Sequence, residues 1–136
     1  MLTLDKVYQA AFALKNVVRA TNLIAAPGLS KDCNVYLKPE NLQITGSFKV
    51  RGSGYMISQL TEEEKTKGVI ACSAGNHAQG VALSCNKLGI KGKIFMPVTT
   101  PKQKINQVKM FGGEEVEVVL AGDTFDQANE AAERAC

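Results

Sequence analysis

Three short segments rich in β-branched and apolar residues, Val69 to Cys72, Lys93 to Met96 and Glu115 to Val119, recur at intervals of roughly 23 residues. Each gap between them holds one helical pattern, Asn76 to Leu88 and then Pro101 to Phe111. A parallel pair of strands needs a crossover of a dozen or more residues, so this alternation predicts parallel strands. The boundaries agree with it. Thr100-Pro101 offers an N-cap followed by proline at the first helical position, while Gly89 and Gly112-Gly113 can take the left-handed backbone that ends the preceding helices. A last helix begins near Asp123 and runs through Ala128, Ala131 and Ala132. The pattern predicts an α/β fold: a three-layer open parallel sheet with flanking helices and right-handed crossovers.

Upstream, Val7, Ala10, Ala11, Leu14, Val17 and Val18 repeat at helical spacing, which predicts a helix ending by about Thr21 ahead of Pro27-Gly28. Asn34 to Lys38 reads as a strand closed by Pro39, with no obvious partner strand. Glu40 to Gly46 reads as a polar loop, and Ser47 is placed to cap a helix running to about Leu60. Thr61 to Glu64 has capping-box spacing for a short helix that Gly68 ends. After the Asp123 helix the alternation calls for another strand. The chain reads as interrupted at Cys136, with an uncovered sheet edge expected.

At 136 residues with 45% hydrophobic content, the chain is large enough to bury a core. Its +3 charge is scattered, with no run of five like charges and no aromatic interleaving, so a nucleic-acid partner is not expected. No 18-residue apolar stretch and no basic start before an apolar run occur, so no membrane partner is expected and the cytoplasm is the default address. Cys33, Cys72, Cys85 and Cys136 form no CxxC pair and read as reduced structural thiols. With His77 the only histidine, no metal site is expected.

Two segments can carry chemistry. Ser47-Phe48-Lys49-Val50-Arg51-Gly52 puts a lysine one or two positions into a helix, where the positive end of the dipole favours a neutral amine; desolvation would add to this and make it a nucleophile toward aldehydes. Taken alone, Lys49 reads more readily as a surface lysine, since lysines at exposed helix positions are abundant. Cys72 to Gly80 runs from a strand end through a small-residue turn into a helix, a geometry that aims N–H groups and the helix dipole at one spot and suits a carboxylate or phosphate. Taken alone, it is equally well a turn that packs helix on sheet. His77 has no evident carboxylate partner and reads as an orienting residue rather than a general base.

Together, Glu40-Asn41-Leu42-Gln43-Ile44-Thr45-Gly46-Ser47-Phe48-Lys49-Val50-Arg51-Gly52 and Ser73-Ala74-Gly75-Asn76-His77-Ala78-Gln79-Gly80 closely resemble the lysine motif and the asparagine loop of fold-type II pyridoxal-phosphate enzymes, in particular the threonine and serine dehydratases. The similarity extends through Pro97 to Gly113 and covers essentially the whole chain. It implies a tryptophan synthase β-like fold, here incomplete. It also implies two parts: residues 1–52, an N-terminal segment of the large cofactor domain, and residues 53–136, a small α/β domain carrying the asparagine loop.

The resemblance further implies that Lys49 joins pyridoxal 5'-phosphate as a Schiff base and later removes the substrate Cα proton. Phe48 would pack by the pyridine ring and Asn76 would hydrogen-bond the phenolic oxygen. Ser73, Ala74, Gly75, Asn76 and His77 would hold the substrate carboxylate through backbone N–H groups and the Ser73 hydroxyl. The implied reaction is loss of water from threonine, or serine, ending in a 2-oxo acid and ammonia; with threonine this leads toward isoleucine. A homo-oligomer is implied for the full-length protein. Ala74 stands where serine racemases place a serine, which favours elimination over racemisation, and Ser53 stands where alanine is frequent. The family's glycine-rich phosphate loop and its partner for the pyridine nitrogen, both far downstream of the lysine, are not found in this sequence.

Overall fold

The computed structural model describes residues 1–136. Its order is α1 (Leu4–Ala13), β1 (Ile24–Ala25), β2 (Tyr36–Leu37), α2 (Lys49–Ser58), α3 (Glu62–Lys67), β3 (Val69–Cys72), α4 (Asn76–Leu88), β4 (Gly92–Met96), α5 (Lys102–Gly112), β5 (Val116–Leu120) and α6 (Phe125–Arg134), with short 3₁₀ turns at Pro27–Leu29, Glu40–Leu42 and Gly113–Glu115.

The main sheet has the order β3-β4-β5, all parallel, with Val69 opposite Gly92 and Gly92 opposite Val116. Successive side chains on a strand point to opposite faces. Val69, Ala71, Ile94, Met96, Val116 and Val118 therefore face α4 and α5, and with Ala78, Val81, Ala82, Cys85 and Val108 they form the principal core. The alternate residues face α6, whose Ala128 and Ala132 are buried and whose Phe125 carbonyl lies 4.0 Å from Cys72 Sγ. Both faces of the sheet are thus covered, as an all-parallel sheet requires. Gly92 is glycine for a reason of space: a Cβ there would sit 2.9 Å from Cys85 Sγ.

Most helix ends follow the sequence. The Thr61–Glu64 capping box forms, and Gly68 and Gly89 take positive φ of 85° and 65° at the ends of α3 and α4. Thr124 and Gln127 form a second capping box at the start of α6.

Four expectations need correction. The first helix ends at Ala13 and gives way to turns through Val18, after which the Arg19 backbone is held by Gln43: its N–H donates to Gln43 Oε1 at 3.0 Å and its carbonyl accepts from Gln43 Nε2 at 2.6 Å. The strand near Asn34 to Lys38 does have a partner, since Tyr36–Leu37 pairs antiparallel with Ala25–Ile24. Thr100 does not cap α5, because Pro101 with ψ 135° separates it from the first turn and leaves Thr100 Oγ1 without a partner. All four cysteines are unpaired, but a structural place in the packing holds only for the buried Cys85 and half-buried Cys72; Cys33 and Cys136 are exposed. Burial pushes the Cys85 thiol up to about 11, so it stays protonated and inert.

α2 packs along α4. Lys49 and Val50 lie over Gly80, Ser53 and Gly54 over Ser84, and Ile57 joins the core beside Ile90. Contacts that advance together on both helices mean that the two run in the same direction. The division drawn at residue 52 therefore passes through α2 between Val50 and Ser53, both of which are buried in this packing.

Candidate active site

The parallel packing brings the first residue of α2, Lys49, and the first residue of α4, Asn76, to the same end of the helix pair. The positive ends of two helix dipoles therefore point to one side of the molecule, at the carboxyl end of β3. Lys49, Phe48, Gly52, Ser53, Met56 and His77 line an open cavity of about 260 Å³ there. Lys49 is exposed, so the desolvated setting considered for it is not formed by these residues alone. Its Nζ stands 5.4 Å from the centroid of the Phe48 ring, itself 58% exposed. Ser47 serves the start of α2 by accepting the Lys49 N–H at 3.3 Å, although Phe48 occupies the N-cap position.

At the second segment, the Ser73 N–H continues the sheet by donating to the Phe95 carbonyl at 3.1 Å, and the chain then turns. The Ser73 hydroxyl accepts the Gly75 N–H at 3.2 Å, which leaves its own proton free to donate. Gly75 precedes α4 with no side-chain cap, and the N–H groups of Ala74, Asn76, His77 and Ala78 find no protein acceptor. The start of α4 therefore offers a set of uncommitted donors with the dipole behind them, the arrangement that binds an anion. Asn76 and His77 are exposed, while Ser73, Ala74 and Gly75 are half-buried.

A set of residues inside the first motif went unassigned in the sequence. Glu40 accepts from Arg51 Nε and Nη2, both at 2.8 Å, and from Thr21 Oγ1 at 2.6 Å, while Lys38 Nζ donates to the Thr21 carbonyl. Arg51 Nη2 also reaches Thr21 Oγ1 at 3.5 Å, and Gln43 locks onto Arg19 as described. The hydrogen bonds from Arg51 hold the Glu40 carboxyl down to about 2, against the opposing effect of burial and with help from Thr21. This pair ties the start of the lysine loop to the first turn of α2. The only sequence signal for it is one acid and one base at opposite ends of the same motif.

A second cavity, about 370 Å³, lies at the amino end of the sheet. Two ion pairs cross it, Lys91 with Glu115 at 3.0 Å and Lys93 with Glu117 at 3.4 Å, and it contains neither motif.

Comparison with known proteins extends this picture. A biosynthetic L-threonine dehydratase of Halalkalibacterium halodurans is 53% identical over 135 residues, covering 97% of this chain and 32% of that protein. One of Staphylococcus epidermidis is 58% identical over 120 residues, covering 87% of this chain and 28% of its own length. The chain thus spans about a third of the length of the curated relatives it matches. Among solved structures, a processed threonine deaminase isoform 2 of Solanum lycopersicum superposes with a TM-score of 0.81 at 42% identity, covering 98% of this chain and 38% of that one. A serine racemase of Dictyostelium discoideum superposes at 0.86 with 28% identity, covering 98% of this chain and 43% of that one. The profile described as pyridoxal-phosphate dependent enzyme matches from Leu14 to Cys136, both motifs included, and the chain belongs to that family.

Proposed function

We propose that this chain provides the lysine-bearing side of the active site of a threonine ammonia-lyase, which eliminates water from L-threonine to give 2-oxobutanoate and ammonia. The observation that carries the reading is the convergence of the Lys49 amine and the free N–H groups of α4 at one end of a parallel helix pair. The donor set suits the aldehyde end of pyridoxal phosphate: a primary amine at Lys49, an exposed ring at Phe48 and an uncommitted side-chain amide at Asn76. Lys49 would hold the cofactor covalently, Phe48 would lie against its ring, and Asn76 would hydrogen-bond its phenolic oxygen. When bound, pyridoxal phosphate supplies a conjugated ring that takes up the electrons left when the substrate α-proton departs.

The remaining work belongs to the chain. The N–H groups of Ala74, Asn76 and His77, with the Ser73 hydroxyl, hold the substrate carboxylate and so fix which bond at Cα faces Lys49. The Gly75 N–H, already taken by Ser73, supports the turn. The Lys49 amine, free once the substrate amine has taken its place, would take the α-proton, and His77 would contribute its backbone rather than its ring. Threonine is the favoured substrate because relatives at 53% and 58% identity are named threonine dehydratases. A serine racemase reading, favoured by the Dictyostelium likeness, lacks a hydroxyl at Ala74 for the opposite face. In a protein of the relatives' length we place this activity in the cytoplasm, in a homo-oligomer, on the route to isoleucine. No helix here is long and apolar enough to cross a membrane.

Incubation of the chain with pyridoxal phosphate, borohydride reduction and peptide mapping tests the assignment. The adduct is expected on Lys49 ahead of every other lysine, and Lys49→Ala is expected to remove it without changing the circular dichroism. At the relatives' length the same change should cut 2-oxobutanoate release by at least the ~10²–10⁴-fold that a positioned proton-transfer group contributes. Labelling spread evenly over the lysines would overturn the reading.

A further inference from the structure

Gly80 belongs to the second motif, one turn into α4 from Asn76, yet it carries no side chain to hold cofactor or substrate and no role has been assigned to it. A Cβ on it would stand 2.8 Å from Ser53 Oγ and 3.1 Å from both the Lys49 carbonyl carbon and the Val50 nitrogen. Those last two atoms form the peptide bond that joins Lys49 to Val50. The space at Gly80 therefore sets where the backbone of Lys49 rests on α4, and rigid backbone cannot step aside as the end of a side chain can.

Two buried hydroxyls complete the contact. Ser84 Oγ donates to the Gly80 carbonyl at 2.7 Å, and Ser53 Oγ donates to the Lys49 carbonyl at 3.1 Å, with the two oxygens 3.4 Å apart. Each hydroxyl has one proton, and the shortest acceptor of each is a carbonyl: Gly80 for Ser84 and Lys49 for Ser53, whose other acceptors lie 3.4 Å away. Ser84 and Val50 are fully buried and Ser53 is 5% exposed. The joint between the helices thus runs from the Lys49 peptide to the Gly80 peptide, with short side chains between them.

Gly54 makes a useful contrast. A Cβ there would also be crowded, 2.9 Å from Leu14 Cδ2, 3.0 Å from Val17 Cγ1 and 3.3 Å from Ser84 Oγ, but all three are side-chain atoms and none belongs to the Lys49 backbone. Crowding at Gly54 strains packing against the segment after α1. Crowding at Gly80 moves Lys49.

We infer that Gly80 is a positioning residue for Lys49: by admitting the Lys49–Val50 peptide to van der Waals contact, it sets the distance between the lysine amine and the N–H donors at the start of α4. The inference rests on the cofactor reading of Lys49. Its test is the rate of borohydride-trapped pyridoxal phosphate labelling at Lys49 relative to the exposed lysines of the same molecule, a ratio that a general loss of stability does not change while the chain remains folded. Four variants are compared with the parent: Gly80→Ala, Gly54→Ala, Ser53→Ala, and the double variant Gly80→Ala with Ser53→Ala. The double variant removes the 2.8 Å contact and keeps the two backbone contacts, so it provides a folded test if Gly80→Ala alone does not fold.

Displacing a reacting group by a fraction of an ångström is expected to lower the Lys49 ratio about tenfold in Gly80→Ala, and in the double variant relative to Ser53→Ala. Gly54→Ala is expected to lower the thermal midpoint and keep the ratio. A double variant that labels like Ser53→Ala, or a Gly54→Ala that loses the ratio equally, overturns the inference and leaves the cofactor reading standing. A parent protein in which Lys49 labels no faster than the exposed lysines overturns both.

Discussion

Glu40 shows at the scale of one residue how the lysine loop depends on charge. Its carboxylate holds three hydrogen bonds from Arg51 and Thr21, and its side chain is 15% exposed against 33% for Arg51. In the unfolded chain the group titrates near the ordinary glutamate value of about 4.3. In the fold its pKa lies at about 2. A carboxyl with a depressed folded pKa contributes stability that is present above the unfolded value and is lost as pH falls toward the folded one. The fold is therefore expected to weaken between about pH 4.3 and pH 2. Glu40→Gln should flatten that decline and cost about 2 kcal/mol at pH 7, the scale of hydrogen bonds to a charged group. Denaturant midpoints for both proteins across this pH range check it, and parallel curves for the two would exclude Glu40 as the titrating group. None of this was visible in the sequence. The lysine and the asparagine loop are marked by characteristic neighbours, whereas Glu40 and Arg51 meet only because the loop between them folds back onto Arg19 and Thr21.

Elements divide in the same way. β3, β4, β5 and the helices between them were legible because a covered parallel sheet demands apolar runs at crossover spacing, with glycines where the helices end. In the antiparallel ribbon, Tyr36–Leu37 was legible within Asn34 to Lys38, but its partner Ile24–Ala25 was not. The ribbon's strands are two residues each, both exposed, and no two-residue turn signature joins them. The parallel seating of α2 on α4 was hidden because Gly54, Gly80, Ser53 and Ser84 carry no hydrophobic period. α6 tests how far a local signal supports the sheet. Thr124 accepts the Gln127 N–H at 3.3 Å, and Gln127 Oε1 accepts the N–H groups of Asp123 and Thr124 at 2.7 and 3.4 Å. Losing such a cap costs about 1 kcal/mol, so Thr124→Ala should raise the fraction of molecules with α6 lifted from the sheet about fivefold. Cys72, beneath the first turn of α6, reports this directly. Its modification by a thiol reagent is expected to quicken by about the same factor, with Cys33 as the unchanged internal control.

The whole molecule exposes more surface than its mass accounts for. A folded monomer of 14.6 kDa ordinarily presents about 6,900 Å². This one presents 8918 Å². The excess of roughly 2,000 Å² equals the total surface buried in a large specific protein interface. Part of it is apolar: α1 buries none of its residues, and Leu4, Val7, Tyr8 and Phe12 stand between 48% and 82% exposed, while Ile24, Tyr36 and Leu37 add an uncovered ribbon. The outer edges of β3 and β5 are unpaired as well, and each can accept a strand. Hydrophobic surface of this extent is stable in water only when covered, so the 136-residue chain by itself is expected to associate with copies of itself at concentrations of ~10–100 μM. Sedimentation equilibrium should show a mass that rises with concentration. Leu4→Glu with Phe12→Glu separates α1 from the other routes to association, because both side chains face solvent and their loss removes no buried contact. If α1 is the adhesive surface, this variant stays monomeric with an unchanged circular dichroism spectrum. If it associates as the parent does, the ribbon or the sheet edges are responsible, and Leu120→Lys, at the 45% exposed end of β5, then tests the β5 edge: a monomer assigns the association to that edge, and continued association assigns it to the ribbon or to β3.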